Sequence, residues 1–151
     1  IRHPQLANTI KMVKECPEVR FILDHIAKPD IKNQIFEPWK QEILTLSQLP
    51  NVVCKISGLA TEANPVDWTR DDLKPYIDHV IEAFGFDRVM YGSDWPVSTL
   101  ATKYRRWFDT LKWVVSQCSQ YEQARLFHDN ALQFYGLEGT PHWSDVPLGT
   151  I

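Results

Sequence analysis

The sequence predicts an α/β fold built on a parallel sheet, and three observations carry that expectation. Runs rich in β-branched and apolar residues begin at Val19, Val52 and Val89, 33 and 37 residues apart. Each gap holds one amphipathic helical pattern, the crossover that a strand needs to return in parallel. Each run then stops at a polar or glycine-bearing segment: Asp24-His25, Ser57-Gly58 and Gly92-Ser93-Asp94. A barrel of about 250 residues divided by eight gives roughly 31 residues per βα unit, which these spacings fit. An open doubly wound sheet fits them almost as well.

In chain order, residues 1–3 read as the tail of a strand, with Pro4 a good first helical residue. Leu6, Ile10 and Val13 recur at i, i+4 and i+7 and predict a helix that Pro17 ends. A strand follows over 19–26, closed by Ala27-Lys28-Pro29-Asp30. After an irregular polar stretch, Trp39, Ile43, Leu44 and Leu46 predict a helix that stops at Leu49-Pro50. The next strand spans 51–56, with Lys55 its one interior charge, and Ser57-Gly58 breaks it. Residues 60–70 form a loop, and Asp71 or Asp72 caps a helix running to about Phe84, with Gly85 as its stop signal. A short buried strand over 88–92 comes next, then helices over 102–115 and 120–135, the second closed by Gly136. Residues 138–151, with two glycines and two prolines, read as an irregular tail, and no linker divides the 151 residues, so one domain is expected.

Composition excludes several classes. With 19 acidic and 16 basic residues, the net charge of −3 gives no electrostatic reason to expect nucleic acid or an anionic membrane as partner. No apolar run approaches the roughly 18 residues of a membrane span, and Ile1-Arg2-His3-Pro4 lacks a signal-peptide core. Cys16, Cys54 and Cys118 are an odd set without metal-type spacing and read as buried free thiols, which points to a reducing, cytoplasmic setting. A chain that opens on Ile rather than Met reads as incomplete or processed.

Parallel sheets bind ligands at the C-terminal ends of their strands, so His25, Ser57-Gly58 and Asp94 share one face of one sheet. An imidazole and a carboxylate there either hold a divalent metal or act as acid and base on a substrate between them. Asp94 is the stronger candidate, because a carboxylate directly after a buried strand needs a partner, a metal or a substrate. Its rival role is N-cap of the next helix, and that of His25 is a hydrogen bond to backbone. A catalytic zinc usually takes three protein ligands, for which His3 is the nearest further candidate. His79 and His128 fall in helices and His142 in the tail, as exposed or structural residues. Trp39, Trp107 and Trp113 fall at apolar helical positions, whereas Trp68 and Trp95, in loops on the candidate face, suit stacking on a sugar ring. Arg105, Arg106 and Lys28 are either carboxylate binders or solvated charges. There is no nucleophile elbow around Ser57 or Ser93, and no phosphate loop or dinucleotide fingerprint.

The segments Phe21-Ile22-Leu23-Asp24-His25-Ile26-Ala27-Lys28-Pro29, Lys55-Ile56-Ser57-Gly58-Leu59, Tyr91-Gly92-Ser93-Asp94-Trp95-Pro96 and Asn130-Ala131-Leu132-Gln133-Phe134-Tyr135-Gly136-Leu137 resemble the amidohydrolase-related family. More narrowly they are similar to its sugar-acid and dicarboxylate lactonases, over residues 1 to about 137. The resemblance implies the C-terminal half of a (β/α)8 TIM barrel, strands five to eight with their helices. It implies catalytic roles for Asp94, as the carboxylate that deprotonates water, and for His25, which lines the site or joins Asp94 in binding metal. It implies substrate contacts for His3, Lys28 and Trp95. It also implies a divalent metal, zinc or similar, while leaving open that the lactonase branch works without one.

The family's His-x-His pair of strand one has no counterpart here. The expected partners are therefore a small-molecule substrate and the N-terminal half of the same barrel, or a second copy of the chain. The expected activity is hydrolysis of a sugar-acid lactone. A decarboxylase using the same Asp and His, and a non-catalytic half barrel, are the rivals.

Overall fold

The computed structural model describes residues 1–137; the expected tail and His142 lie outside them. A 3-10 turn (His3–Gln5) leads into helix α1 (Leu6–Glu15), whose Leu6, Ile10 and Val13 are buried as their spacing requires. Strand β1 (Phe21–Leu23) is followed by α2 (Trp39–Ser47), β2 (Val52–Ile56), α3 (Arg70–Phe84), β3 (Val89–Tyr91) and α4 (Tyr104–Val114). The last helical region comprises α5 (Gln120–Ala124), a π-helical turn (Arg125–Asp129) and α6 (Asn130–Tyr135).

The strands form one parallel sheet in the order β1-β2-β3, with Phe21 opposite Val52, Leu23 opposite Cys54, Cys54 opposite Val89 and Ile56 opposite Tyr91. Alternation along β2 separates its faces. Val52, Cys54 and Ile56 are buried toward the layer containing α2 and α3, and Val53 and Lys55 point the other way and are half-buried. The core joins these strand residues to Leu6, Trp39, Ile43, Leu73, Ile77, Val80, Trp107 and Leu111 of the helices. Side-chain amides secure the turns at the N-terminal ends of the strands. Asn51 Nδ2 faces the carbonyls of Val13, Cys16 and Val19 (3.3, 3.1 and 3.0 Å), and Asn130 Nδ2 donates to Phe86 O and Val89 O, both at 2.6 Å.

Several expectations need correction. Residues 1–3 form no strand among the described residues, because Ile1 and Arg2 have no ladder partner and His3 already begins a turn. The strand expected over 19–26 keeps only three residues, since the backbone turns left-handed at His25. Thr69, rather than Asp71 or Asp72, caps α3: its hydroxyl accepts from Asp72 N while Asp72 accepts from Thr69 N, a reciprocal capping box. Trp39 and Trp107 are core residues as expected, but Trp113 is 38% exposed, under Arg70. His79 takes the structural one of its two expected roles, with its Nε2 2.8 Å from Lys40 O and its ring edge-on to Trp39. Of the three thiols, only Cys54 is fully buried.

Candidate active site

Register sets the height of each functional residue. Extended from its paired residues, His25 is level with Ile56 and Tyr91, so Asp94 lies three residues beyond that level. Three extended residues span about 10 Å. Left-handed backbone at His25 (φ 57°) and Asp94 (φ 55°) removes that separation by turning both away from the strand direction. Asp94 Oδ1 stands 3.6 Å from His25 Nε2. The structure therefore brings the two residues together as the sequence led one to expect.

His25 opens four consecutive left-handed residues: His25, Ile26, Ala27 and Lys28, with φ of 57°, 46°, 60° and 49°. Each non-glycine residue in this region costs roughly 1–2 kcal/mol, so the turn persists only because its surroundings hold it. Ile26 and Ala27 are fully buried. The Trp39 Nε1–H donates to Ile26 O at 2.7 Å, Lys28 N–H donates to His25 O at 2.8 Å, and Lys28 Nζ reaches Glu62 Oε1 at 3.2 Å.

The imidazole is held from the neighbouring strand. Ser57 Oγ lies 2.8 Å from His25 Nδ1, and a Cβ on Gly58 would sit 2.9 Å from the same nitrogen, so only glycine leaves room for the ring. Gly92 has a related duty, because a Cβ there would come within 2.9 Å of both Lys55 Cδ and Ser57 Cβ. Gly92→Ala is therefore expected to destabilise the protein by about 1–3 kcal/mol through overpacking, read as a lowered melting temperature. An unchanged melting temperature would show that β2 and β3 part without cost.

Burial lowers the His25 pKa below its ordinary value of about 6.5; Asp94 and Asp24 act in the opposite sense, and Lys28 and Lys55 reinforce the lowering. The ring is thus neutral near pH 7. Below about pH 6.5 the unfolded chain binds a proton that the folded chain resists, so this contribution to stability is complete above that pH and shrinks below it. The urea midpoint is expected to fall between about pH 7.5 and pH 5, and His25→Gln to reduce the fall; equal slopes in the two proteins would contradict the lowered pKa.

Asp94 is almost enclosed, its side chain 7% exposed, and its Oδ2 accepts no hydrogen bond among the described residues. Its main-chain carbonyl accepts from Ser98 N at 2.7 Å, but its carboxylate caps no helix. That rules out the N-cap reading. Trp95 is 68% exposed and free to stack, whereas Trp68 is 2% exposed. Trp68 Nε1–H donates to Ala101 O at 2.9 Å, and the Arg106 guanidinium lies 3.8 Å from its ring centroid, so Trp68 is a core residue and not a ligand platform. Arg106 also donates to Trp68 O, and Arg105 pairs with Asp109, so neither arginine presents an uncommitted charge.

Lys28 does belong to the site's electrostatics, but it shares Glu62 with Arg2, whose guanidinium reaches the same carboxylate at 2.9 and 3.3 Å. His3 is not joined to His25 or Asp94 by any hydrogen bond or ion pair among the described residues. It lies instead near Asp30, whose carboxyl is held below its ordinary range first by Asn33 and secondarily by the His3 charge. Glu62, Trp39 and the ring contact of Ser57 are the contacts around the candidate site that the sequence did not reveal.

A metal is tested by the donors present. Two ligands of a tetrahedral zinc, each about 2.0–2.2 Å from it, stand roughly 3.4 Å apart, close to the separation of Nε2 and Oδ1. Such a site needs at least one further protein ligand, and no group of three His, Cys, Asp or Glu among the described residues is placed to hold an ion. These residues therefore do not make a metal site by themselves.

A parallel α/β sheet with an imidazole and a buried carboxylate converging at its strand ends defines the class: an enzyme-like barrel segment with its site at the strand mouths. The chain belongs to the amidohydrolase family, whose sequence model matches residues 1–137. It is 37% identical over 134 residues to an L-fucono-1,5-lactonase of Burkholderia ambifaria, covering 85% of this chain and 46% of that protein. A Burkholderia multivorans L-fucono-1,5-lactonase is likewise 37% identical, over 77% of this chain and 43% of that one. Among solved structures, a Burkholderia multivorans amidohydrolase with bound zinc superposes with a TM-score of 0.84 at 29% identity, covering 90% of this chain and 50% of that chain. This chain thus spans about half the length of the relatives it matches, and its three strands with their helices correspond to half of a TIM barrel.

Proposed function

We propose that the protein opens a sugar lactone by hydrolysis, with Asp94 as the general base. The observation that carries this reading is the enclosed Asp94 carboxylate, with one oxygen 3.6 Å from a neutral imidazole and the other without a donor among the described residues. A buried carboxylate left with a free oxygen is suited to taking a proton from a bound water. The two Burkholderia relatives named for fuconolactone hydrolysis support the substrate class.

In this reading Asp94 accepts a proton as the water oxygen bonds to the lactone carbonyl carbon. The carbonyl oxygen becomes an oxyanion beside His25. The ring carbon–oxygen bond then breaks, and the proton on Asp94 passes to the departing ring oxygen, leaving a hydroxy acid and restoring the carboxylate. The exposed Trp95 offers a flat wall to the sugar, and Lys28, paired with Glu62, adds to the electrostatics beside His25. The remainder of the barrel, present in relatives about twice this length, closes the inner face of the sheet.

The test is hydrolysis of a panel of 1,4- and 1,5-sugar lactones by the intact protein, read as acid release. Saturable turnover of at least one lactone is expected. Carbon dioxide release from a carboxylated substrate would move the assignment to decarboxylation, and inertness toward every lactone would remove the lactonase reading.

A further inference from the structure

We infer that Ser57 fixes the tautomer of His25, placing the ring proton on Nε2 and making that nitrogen a hydrogen-bond donor toward the reacting carbonyl. The argument begins with the hydroxyl. Ser57 is fully buried, and its Oγ contacts one hydrogen-bonding partner among the described residues, His25 Nδ1 at 2.8 Å. A hydroxyl carries one proton, and a buried proton without an acceptor costs roughly 1–3 kcal/mol. Were Nδ1 protonated, it would donate to Oγ and the Ser57 proton would have no acceptor. The bond is therefore satisfied only with Ser57 O–H donating and Nδ1 accepting.

The other side of the ring leads independently to the same assignment. A neutral imidazole with an unprotonated Nδ1 carries its hydrogen on Nε2, and Nε2 faces the Asp94 carboxylate at 3.6 Å. An N–H facing a carboxylate oxygen is attractive, and a lone pair in its place is repulsive. Gly58 completes the arrangement by leaving Nδ1 accessible to the hydroxyl, where a Cβ would crowd that nitrogen to 2.9 Å.

Two consequences follow for chemistry. At 3.6 Å the Nε2–H is too far from Asp94 Oδ1 for a hydrogen bond, so it stays available to an oxygen that approaches the pair from the side. It can then donate to the developing oxyanion while Asp94 holds the proton taken from water, a neutral imidazole serving as electrophile. A protonated Nε2 is also not a metal ligand, so His25 acts here as donor and not as coordinating base. Ser57 is a positioning residue, acting through His25. The tautomer stands on geometry alone, and only the role of its N–H rests on the lactonase reading above.

The experiment is two-bond hydrogen–nitrogen correlation NMR of the intact protein labelled with nitrogen-15 histidine at about pH 7.5, with His25 assigned by its loss in His25→Gln. The expected spectrum has Nδ1 unprotonated and Nε2 protonated at His25. Ser57→Thr, which keeps the hydroxyl, retains that pattern. Ser57→Ala shifts it toward a mixture and lowers kcat about tenfold to a hundredfold while KM changes far less. A proton on Nδ1 in the parent protein overturns the assignment whether or not the variants fold, and so does a Ser57→Ala spectrum that matches the parent's. An Nε2 proton in a protein inert toward every lactone would uphold the tautomer and count against the lactonase reading alone.

Discussion

Asp94→Asn is expected to lower kcat on a lactone by about 10²–10⁴-fold, the usual worth of a positioned general base, while KM changes little. The substitution keeps size and shape and removes only the capacity to accept a proton. Asparagine is also among the few residues that tolerate the left-handed conformation found at this position (φ 55°), so the loop should keep its course. Stability is expected to hold or rise. The native carboxylate is enclosed, with Oδ2 unpaired among the described residues, and exchanging a poorly compensated buried charge for a neutral amide relieves desolvation. The joint outcome identifies the role: a structural carboxylate would lose melting temperature together with activity, and a catalytic one would lose activity alone.

Trp39 is expected to give the largest effect on stability. Trp39→Ala removes a ring buried between Phe36, Tyr76 and His79 and should cost about 3–5 kcal/mol. Trp39→Phe is the more informative variant, because it keeps an aromatic ring and deletes the Nε1–H that donates to Ile26 O. The carbonyl left behind is buried, and an unsatisfied buried acceptor costs roughly 1–3 kcal/mol. Because that carbonyl lies within the left-handed turn that presents His25, Trp39→Phe is expected to lower turnover as well as the urea midpoint. Loss of stability with unchanged kcat would show that the turn holds its shape without the tryptophan.

The layered class and the two central site residues were legible because they obey simple patterns. Apolar runs at regular intervals became strands, and His25 and Asp94 stood out as polar residues directly after them. The conformation that brings them together was not legible, since nothing in His25-Ile26-Ala27-Lys28 signals left-handed backbone and the turn contains no glycine. Trp68 looked loop-exposed because periodicity cannot show Arg106 of a later helix lying over its ring. Thr69 lost to its acidic neighbours as the expected cap, although Thr-x-x-Asp is itself a capping pattern. Glu62 carried no local signal, because its importance comes from two cations 60 and 34 residues earlier in the chain.

The position of Cys54 provides a built-in reporter. It lies in the middle of the central strand, bonded into the sheet on both sides, fully buried, and burial raises its thiol pKa far above the ordinary range. A thiol reagent that needs solvent access and a thiolate meets neither in the folded molecule. Cys16 and Cys118 are partly accessible, so modification of Cys54 alone times the lifting of the strand that leads directly into Ser57. Labelling kinetics at one native sulfur therefore reads the opening of the sheet that carries the candidate site, separately from the fraying of its edges.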